Sequence, residues 1–341
     1  MDFDAVTTQA LTYRPSRLSV APMMEWTDRH CRYFHRLLSK HTELYTEMVT
    51  APALVRGGAM HLLEFDASEH PVTLQLGGSD PHEMAQAAKI GAQHGYDAIN
   101  VNVGCPSDRV QSGAFGAVLM ETPQLVQDIC KAMQDAVDIP VTVKCRIGVD
   151  AQTPEEILPN FLDHLDRIDM SHVIIHARMA WLDGLSPKEN RTIPPLNYAL
   201  VHQMKAQFPH INIAINGGIE TLEAAGEQLE HVDGVMIGRA AYHRPYDILA
   251  AADGTLFDDP RQIDIANVIA IMASYTDAHV SSGGRAHSVA RHMLGLFTGQ
   301  AGARHWRQYL STHGSDRAVN GDLLRRAYDG VVAAQTTIRA S

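Results

Sequence analysis

The chain has four cysteines, Cys31, Cys105, Cys130 and Cys145, and they are the first residues to ask about as acids or nucleophiles. Cys105 is the best placed. It stands in Asn102-Val103-Gly104-Cys105-Pro106-Ser107, just after the apolar run Ala98 to Val103, with Asp108, Arg109 and the glycines 113 and 116 behind it. Pro106 biases the residue before it toward an extended backbone, which would hold the thiol in one place. A free thiol has a pKa of about 8.5 and is largely protonated near neutrality, so it can serve as a general acid where its surroundings do not lower that value. Such an acid suits reduction of an activated C=C bond, in which hydride reaches the β carbon and the α carbon takes a proton. A nucleophilic role would require a base, such as His176 or His243, within reach, and both roles stay open at this point. Cys31 lies in a helical stretch among Tyr33, Phe34, Leu37 and Leu38. Cys130 lies on the apolar side of a helix, and Cys145 has the outward parity of its strand, so all three read as small buried hydrophobes. With no Cys-x-x-Cys pair, no His-x-His after the first strand and no His-x-x-x-His pair beside a carboxylate at a strand end, no metal site is expected.

The elements that must position Cys105 are repeated βα units. Eight strand-like runs are spaced by stretches of helical period: Leu18 to Met23, Leu44 to Met48, Val72 to Leu76, Ala98 to Val103, Val141 to Arg146, His172 to His176, Ile211 to Asn216 and Gly234 to Arg239. Thr122-Pro123 opens a helix with Leu125, Val126, Ile129, Met133 and Val137 on one face, and Thr221 opens another. Eight such units in a row point to an α/β fold, a (β/α)8 TIM barrel, with its active site at the C-terminal ends of the strands. The Rossmann alternative lacks Gly-x-Gly-x-x-Gly after the first strand. Past Pro245 the strand pattern stops, and Gln262 to Thr276 and Gly284 to Leu296 have helical period. The expected division is a catalytic barrel over residues 1–252 and a C-terminal all-helical domain over 253–341, with linker-like residues from Asp253 to Pro260.

Strand alternation then sorts side chains between lumen and helix layer. Val141, Val143 and Cys145 should face the helices, turning Thr142, Lys144 and Arg146 inward. The same rule turns Gln75, Asn100, Asn102, His176 and Asn216 inward. Five strands that each bring a polar group to one level of a barrel lumen imply a shared polar ligand, because unpartnered polar burial is costly. The last two strands end in Asn216-Gly217-Gly218-Ile219 and Gly238-Arg239, which is where barrels of this type cradle phosphate. A lumenal Lys144 suits a flavin, since a cation near the pyrimidine end of the ring stabilises the anionic reduced form. Composition leaves flavin and phosphosugar both open.

The formal net charge is −11, which argues against a surface that is basic overall. It is unevenly spread: from Ile271 to Ser341 there are eight arginines, no lysine, four aspartates and no glutamate, so this tail is +4 against −15 for the rest. Arg304 and Arg307, one turn apart beside His305 and Trp306, could grip phosphates. The first 17 residues lack an apolar leader core and the longest apolar stretch, near Ile265 to Ala273, is well short of the ~20 residues of a membrane span. A cytoplasmic location with no membrane partner is expected.

Several long motifs occur in one order: Ala21-Pro22-Met23-Met24-Glu25-Trp26-Thr27-Asp28, Leu74-Gln75-Leu76-Gly77-Gly78, Asn102 to Ser107, Val143-Lys144-Cys145-Arg146-Ile147-Gly148 and Ile215-Asn216-Gly217-Gly218-Ile219. In these the chain resembles the tRNA-dihydrouridine synthases from about Arg17 to Leu310. Asp28 to His35 and Gly184-Leu185-Ser186-Pro187-Lys188-Glu189-Asn190-Arg191 resemble the bacterial A-type branch, which acts at positions 20 and 20a of the D-loop. The resemblance implies FMN, held at Pro22, Met23, Met24 and Gln75, at Lys144 and His176, and at Asn216, Gly217, Gly218, Gly238 and Arg239. It implies NADPH as reductant and Cys105 as proton donor to C5 of uracil. It also implies tRNA contacts by Asn102 near the target base, by Lys188 and Arg191 in the long loop after the sixth strand, and by Arg304 and Arg307 in the tail. Met179 stands where the family pattern has lysine, and Cys145 where threonine is commoner. A monomer that binds tRNA and not DNA is the expectation. The competing readings are an FMN-dependent oxidoreductase of free pyrimidines, of the dihydroorotate or dihydropyrimidine dehydrogenase type, and an RNA-binding module without turnover.

Overall fold

All eight apolar runs fold as strands: β1 (Leu18–Val20), β2 (Leu44–Thr50), β3 (Val72–Gly77), β4 (Ala98–Val103), β5 (Val141–Arg146), β6 (His172–His176), β7 (Asn212–Asn216) and β8 (Gly234–Ile237). The structure is a computed structural model that describes residues 15–107 and 115–339, so Asp108, Arg109 and Gly113 lie outside the described residues. The strands pair in parallel in the order β1-β8-β7-β6-β5-β4-β3-β2. Val20 N–H to Glu43 O (2.9 Å) and Glu43 N–H to Leu18 O (3.1 Å) join β1 to the residue before β2 and close the barrel. This is the expected (β/α)8 TIM barrel. β1 stops three residues short of Met23, consistent with a proline at position 22 that has no N–H to give a ladder.

The surrounding helices are α1 (Arg29–Leu38), α2 (Ala51–Val55), α3 (Pro81–Gln93), α4 (Pro123–Gln134), α5 (Pro154–Asp166), α6 (Tyr198–Gln207), α7 (Leu222–Leu229) and α8 (Arg239–His243). Asp28 caps α1, its carboxylate accepting from the N–H groups of His30 and Cys31, and Thr221 caps α7 by accepting from Ala224 N–H. At α4 the start is set by Pro123 alone. Thr122 makes no capping bond there, and its hydroxyl turns back toward Leu119 O. The helix buries Val126, Ile129, Cys130 and Met133 against the barrel, as its periodicity requires.

After β8 the chain is helical: α9 (Ala252–Leu256), α10 (Ile265–Ser281), α11 (Ala286–Ala290), α12 (Ala303–His313) and α13 (Asp322–Arg339). Asp253 and Gly254 read as linker in the sequence, yet both lie in α9. The Asp253 carboxylate is buried, accepts from Ser39 Oγ (2.6 Å) and Lys40 N (2.7 Å), and pairs with Arg261 at 3.2 Å. A side chain that finds three distant donors ends up in the core, where its type alone would place it in a loop. The later helices seat on α1. Tyr275 of α10 stacks on Tyr33 at 4.4 Å and its hydroxyl meets His30 Nδ1 at 2.8 Å. Arg291 and His292 donate to Asp28 at 2.8 and 2.9 Å. Burial alone would raise the Asp28 pKa, but His292, the Cys31 amide and Arg291 outweigh it and hold this carboxyl well below the usual range.

Candidate active site

The lumen is polar at its C-terminal end because the inward parity of adjacent strands carries amides and cations, and these satisfy one another in a chain. Gln75 Nε2 donates to Asn100 Oδ1 (2.8 Å), Asn100 Nδ2 to Thr142 Oγ1 (2.9 Å) and Asn102 Nδ2 to Gln75 Oε1 (2.8 Å). Lys144 Nζ on β5 reaches Asn216 Oδ1 on β7 at 3.1 Å, and Asn216 Nδ2 is held by Met236 O at 2.7 Å. The five polar residues expected at one level lie on staggered rows. Gln75 is in register with Asn100, Asn102 with Lys144, and Asn216 with His176. Barrel shear produces the stagger and brings residues of alternate strands together, as Lys144 and Asn216 show. Beside these polar side chains Ala21, Tyr45, Ile174, Ala214 and Met236 pack together as a small apolar cluster.

At this polar end is a cavity of about 450 Å³, within the ordinary range of about 300–1,000 Å³ for small-molecule sites. Pro22, Met23, Met24, Gln75, Lys144, His176, Asn216, Gly217, Gly218, Gly238 and Arg239 all line it. Every residue assigned by the resemblance to flavin binding therefore lines one space. Asn102, Cys105 and Arg191 line it too. Lys188 does not; it is exposed on the loop after β6. Arg307 lines a second cavity of about 560 Å³, which adjoins the first through Glu220, Arg239 and Ala240 and also holds His243 and Arg244. Arg304 is exposed on α12 and lines neither cavity, while Trp306 between the two arginines is fully buried, its Nε1 donating to Met293 O at 2.8 Å.

Cys105 is half-buried at the rim and the other three cysteines are buried. Burial pushes the Cys130 and Cys145 thiols up to about 12 and Cys31 well above its ordinary value. Cys145 belongs to the layer between strands and helices, so its replacement of threonine does not reach the cavity. The backbone under Cys105 is fixed from two sides. Asn102 Oδ1 accepts from both Gly104 N–H (3.1 Å) and Cys105 N–H (3.0 Å), and Arg146 Nε donates to Gly104 O (2.9 Å). The hydrogen-bonding neighbour of its thiol among the described residues is Ser107 Oγ at 3.5 Å. His176 stays neutral: burial first, then Arg146 and Lys144, drive its pKa far down. His243 is across the second cavity, edge-on to Trp26 at 5.0 Å.

Sequence reasoning gave no task to Arg146, although it shares the inward parity of Lys144. Its guanidinium is 3% exposed and ties the loop after β4 to the loop after β6, since Nη1 also donates to Met179 O (2.8 Å) and Asn190 O (3.1 Å). Trp26 was likewise missed; it lines the cavity and stacks on Tyr242 at 4.5 Å. Met179, in place of a lysine, packs over Gly148, its Sδ 2.9 Å from where a Cβ on that glycine would sit.

The electrostatics of the cavity favour an anionic, partly apolar ligand. Lys144, Arg146, Arg191 and Arg239 line it against a single carboxylate, Glu220. Burial and the neighbouring Arg146 pull the Lys144 ammonium down to about 8, so a negative charge beside it would be well received. At Gly238 a Cβ would meet only Ala21 and Met23, at 3.6 Å or more, so the free space at this position belongs to the cavity. Apolar Met23 and Met48, a cation at mid-lumen and a glycine-lined cationic end together fit a flat ring bearing a phosphate chain. Among the described residues no three His, Cys, Asp or Glu side chains converge on a metal position, and no helix is long and apolar enough to cross a membrane.

Comparison with known proteins is extensive. A family model described as Dihydrouridine synthase (Dus) matches residues 19–330. The chain is 52% identical over 328 residues to the tRNA-dihydrouridine(20/20a) synthase of Salmonella typhimurium, covering 94% of this chain and 98% of that one. It is 53% identical over 313 residues to the protein of the same name from Escherichia coli, covering 91% and 90%. Among solved structures it is similar in fold to the old yellow enzyme homologue of Zymomonas mobilis, with a TM-score of 0.52 at 12% identity over 74% of this chain and 91% of that one.

Proposed function

Because the chain belongs to the dihydrouridine synthase family, we propose that it reduces the C5=C6 bond of uridine at positions 20 and 20a of the tRNA D-loop, using FMN and NADPH. The observation that carries this reading is that Cys105, Asn102 and Arg191 share one cavity with all of the proposed flavin-binding residues. When bound, FMN would supply the hydride that adds to C6. The chain's own residues would do the rest. Gly217, Gly218, Gly238 and Arg239 hold the phosphate end, and Lys144 places a positive charge at the ring. Cys105 delivers a proton to C5 from a rim whose backbone Asn102 and Arg146 fix. The barrel over residues 1–252 is the catalytic unit and residues 253–341 add the grip on RNA, with Lys188, Arg304 and Arg307 on phosphates. Anaerobic protein reduced by NADPH should be reoxidised by tRNA that lacks dihydrouridine. Reoxidation by free uracil or uridine, with tRNA inert, would support the free-pyrimidine reading.

Two further outcomes are expected. With the free Lys144 ammonium at about 8, flavin affinity should be level below that pH. Above it, affinity should fall by up to about tenfold per unit, because binding then has to take up a proton. A fluorescence titration of flavin release across this range checks it, and Lys144→Met should remove the step. Arg307→Gln should lower the slope of log Kd against log salt for tRNA by about 1, as expected for one lost phosphate contact.

A further inference from the structure

Of the three tryptophans, Trp306 is fully buried and Trp26 is stacked on Tyr242, whereas Trp181 leaves 48% of its surface in solvent. Its surroundings are not loose. Trp181 N–H donates to Asn190 Oδ1 at 2.7 Å, and its carbonyl accepts from Asn190 Nδ2 at 2.8 Å. Asn190 is wholly buried, and its carbonyl is one of the three held by Arg146. On either side Ala180 N–H donates to Gly148 O (2.9 Å) and Leu182 N–H to Asp150 Oδ1 (2.7 Å). An indole is thus presented to solvent from a backbone locked to the same arginine that locks the Cys105 loop. The loop that carries it also carries Arg191 at the cavity and Lys188 in solvent.

We propose that Trp181 is a stacking surface for a nucleobase that flanks the target uridine, a role that rests on the RNA substrate proposed above. Extruding one base from a folded loop exposes the faces of its neighbours. An exposed aromatic on a loop that itself lines the cavity through Pro187 and Arg191 restores one of those stacks, and Arg191 and Lys188 of that loop hold the phosphates on either side. A base–aromatic stack of this kind is worth roughly 5- to 150-fold in affinity.

The test compares Trp181→Ala, Trp181→Leu and Trp181→Phe with the unaltered protein for tRNA Kd, for KM and kcat of dihydrouridine formation, and for flavin content. The Ala and Leu variants should bind tRNA about tenfold more weakly, with KM raised in step, kcat little changed and flavin retained. The Phe variant should stay within about threefold of the unaltered protein. Equal binding by the Leu and Phe variants, or Kd within about twofold for Ala, overturns the proposal. So does a change in sedimentation without a change in tRNA binding, which would make the indole a contact between copies of the chain. If the unaltered protein itself fails to act on tRNA, it is the proposed function that falls.

Discussion

Cys105→Ala is expected to bind flavin and accept electrons from NADPH at the normal rate, yet form dihydrouridine on tRNA about 10²- to 10⁴-fold more slowly, the usual worth of a positioned general acid. The expectation rests on placement. Cys105 is the one of the four thiols at the cavity, and two independent anchors hold its backbone: the Asn102 side chain on the N–H groups and Arg146 on the carbonyl before it. The substitution removes one sulfur from a half-buried rim and leaves every one of these hydrogen bonds in place, so the loop should not move. Separate measurement of the NADPH half-reaction and the tRNA half-reaction checks it. Undiminished tRNA turnover would leave the barrel and the cavity standing and remove the acid.

Gly217→Ala is expected to lower flavin affinity by at least about 100-fold. Gly217 has φ +113°, a region that L side chains avoid, and a Cβ would lie 2.5 Å from His176 Cδ2 and 2.8 Å from its Nε2. The backbone strain is of order 1–3 kcal/mol, and relief requires His176 or the cradle to shift, both of which line the cavity. Gly226→Ala in α7 is the control. Its Cβ would meet nothing within 4 Å, so Ala should stabilise the helix by about 0.5–1 kcal/mol and leave flavin binding alone. Equilibrium flavin titration should move for Gly217→Ala alone, and the thermal melts of the two variants should move in opposite directions.

Much of this geometry was legible in the residue pattern because a barrel converts a period of two directly into lumen and wall. The apolar alternation of Val141, Val143 and Cys145 was enough to turn Lys144 inward, and Lys144 does meet Asn216 inside. Likewise the helical neighbours of Cys31 and Cys130 foretold their burial. What the pattern did not carry were bonds between distant segments. Arg146 acts through the carbonyls of Gly104, Met179 and Asn190, which only the folded loops after β4 and β6 bring within reach. Asp253 looked like linker because nothing nearby in sequence announces Ser39 and Lys40 as its donors. The union of Asp28 with His292 spans more than 260 residues, and no local period encodes it.

The central claim is the placement of one reductive site over one kind of base, and its most direct test is a map of dihydrouridine. The purified protein, given NADPH and unmodified tRNA, should form dihydrouridine at positions 20 and 20a of the D-loop and nowhere else. Formation at 16 or 17, or none at all while free pyrimidines are reduced, would contradict it.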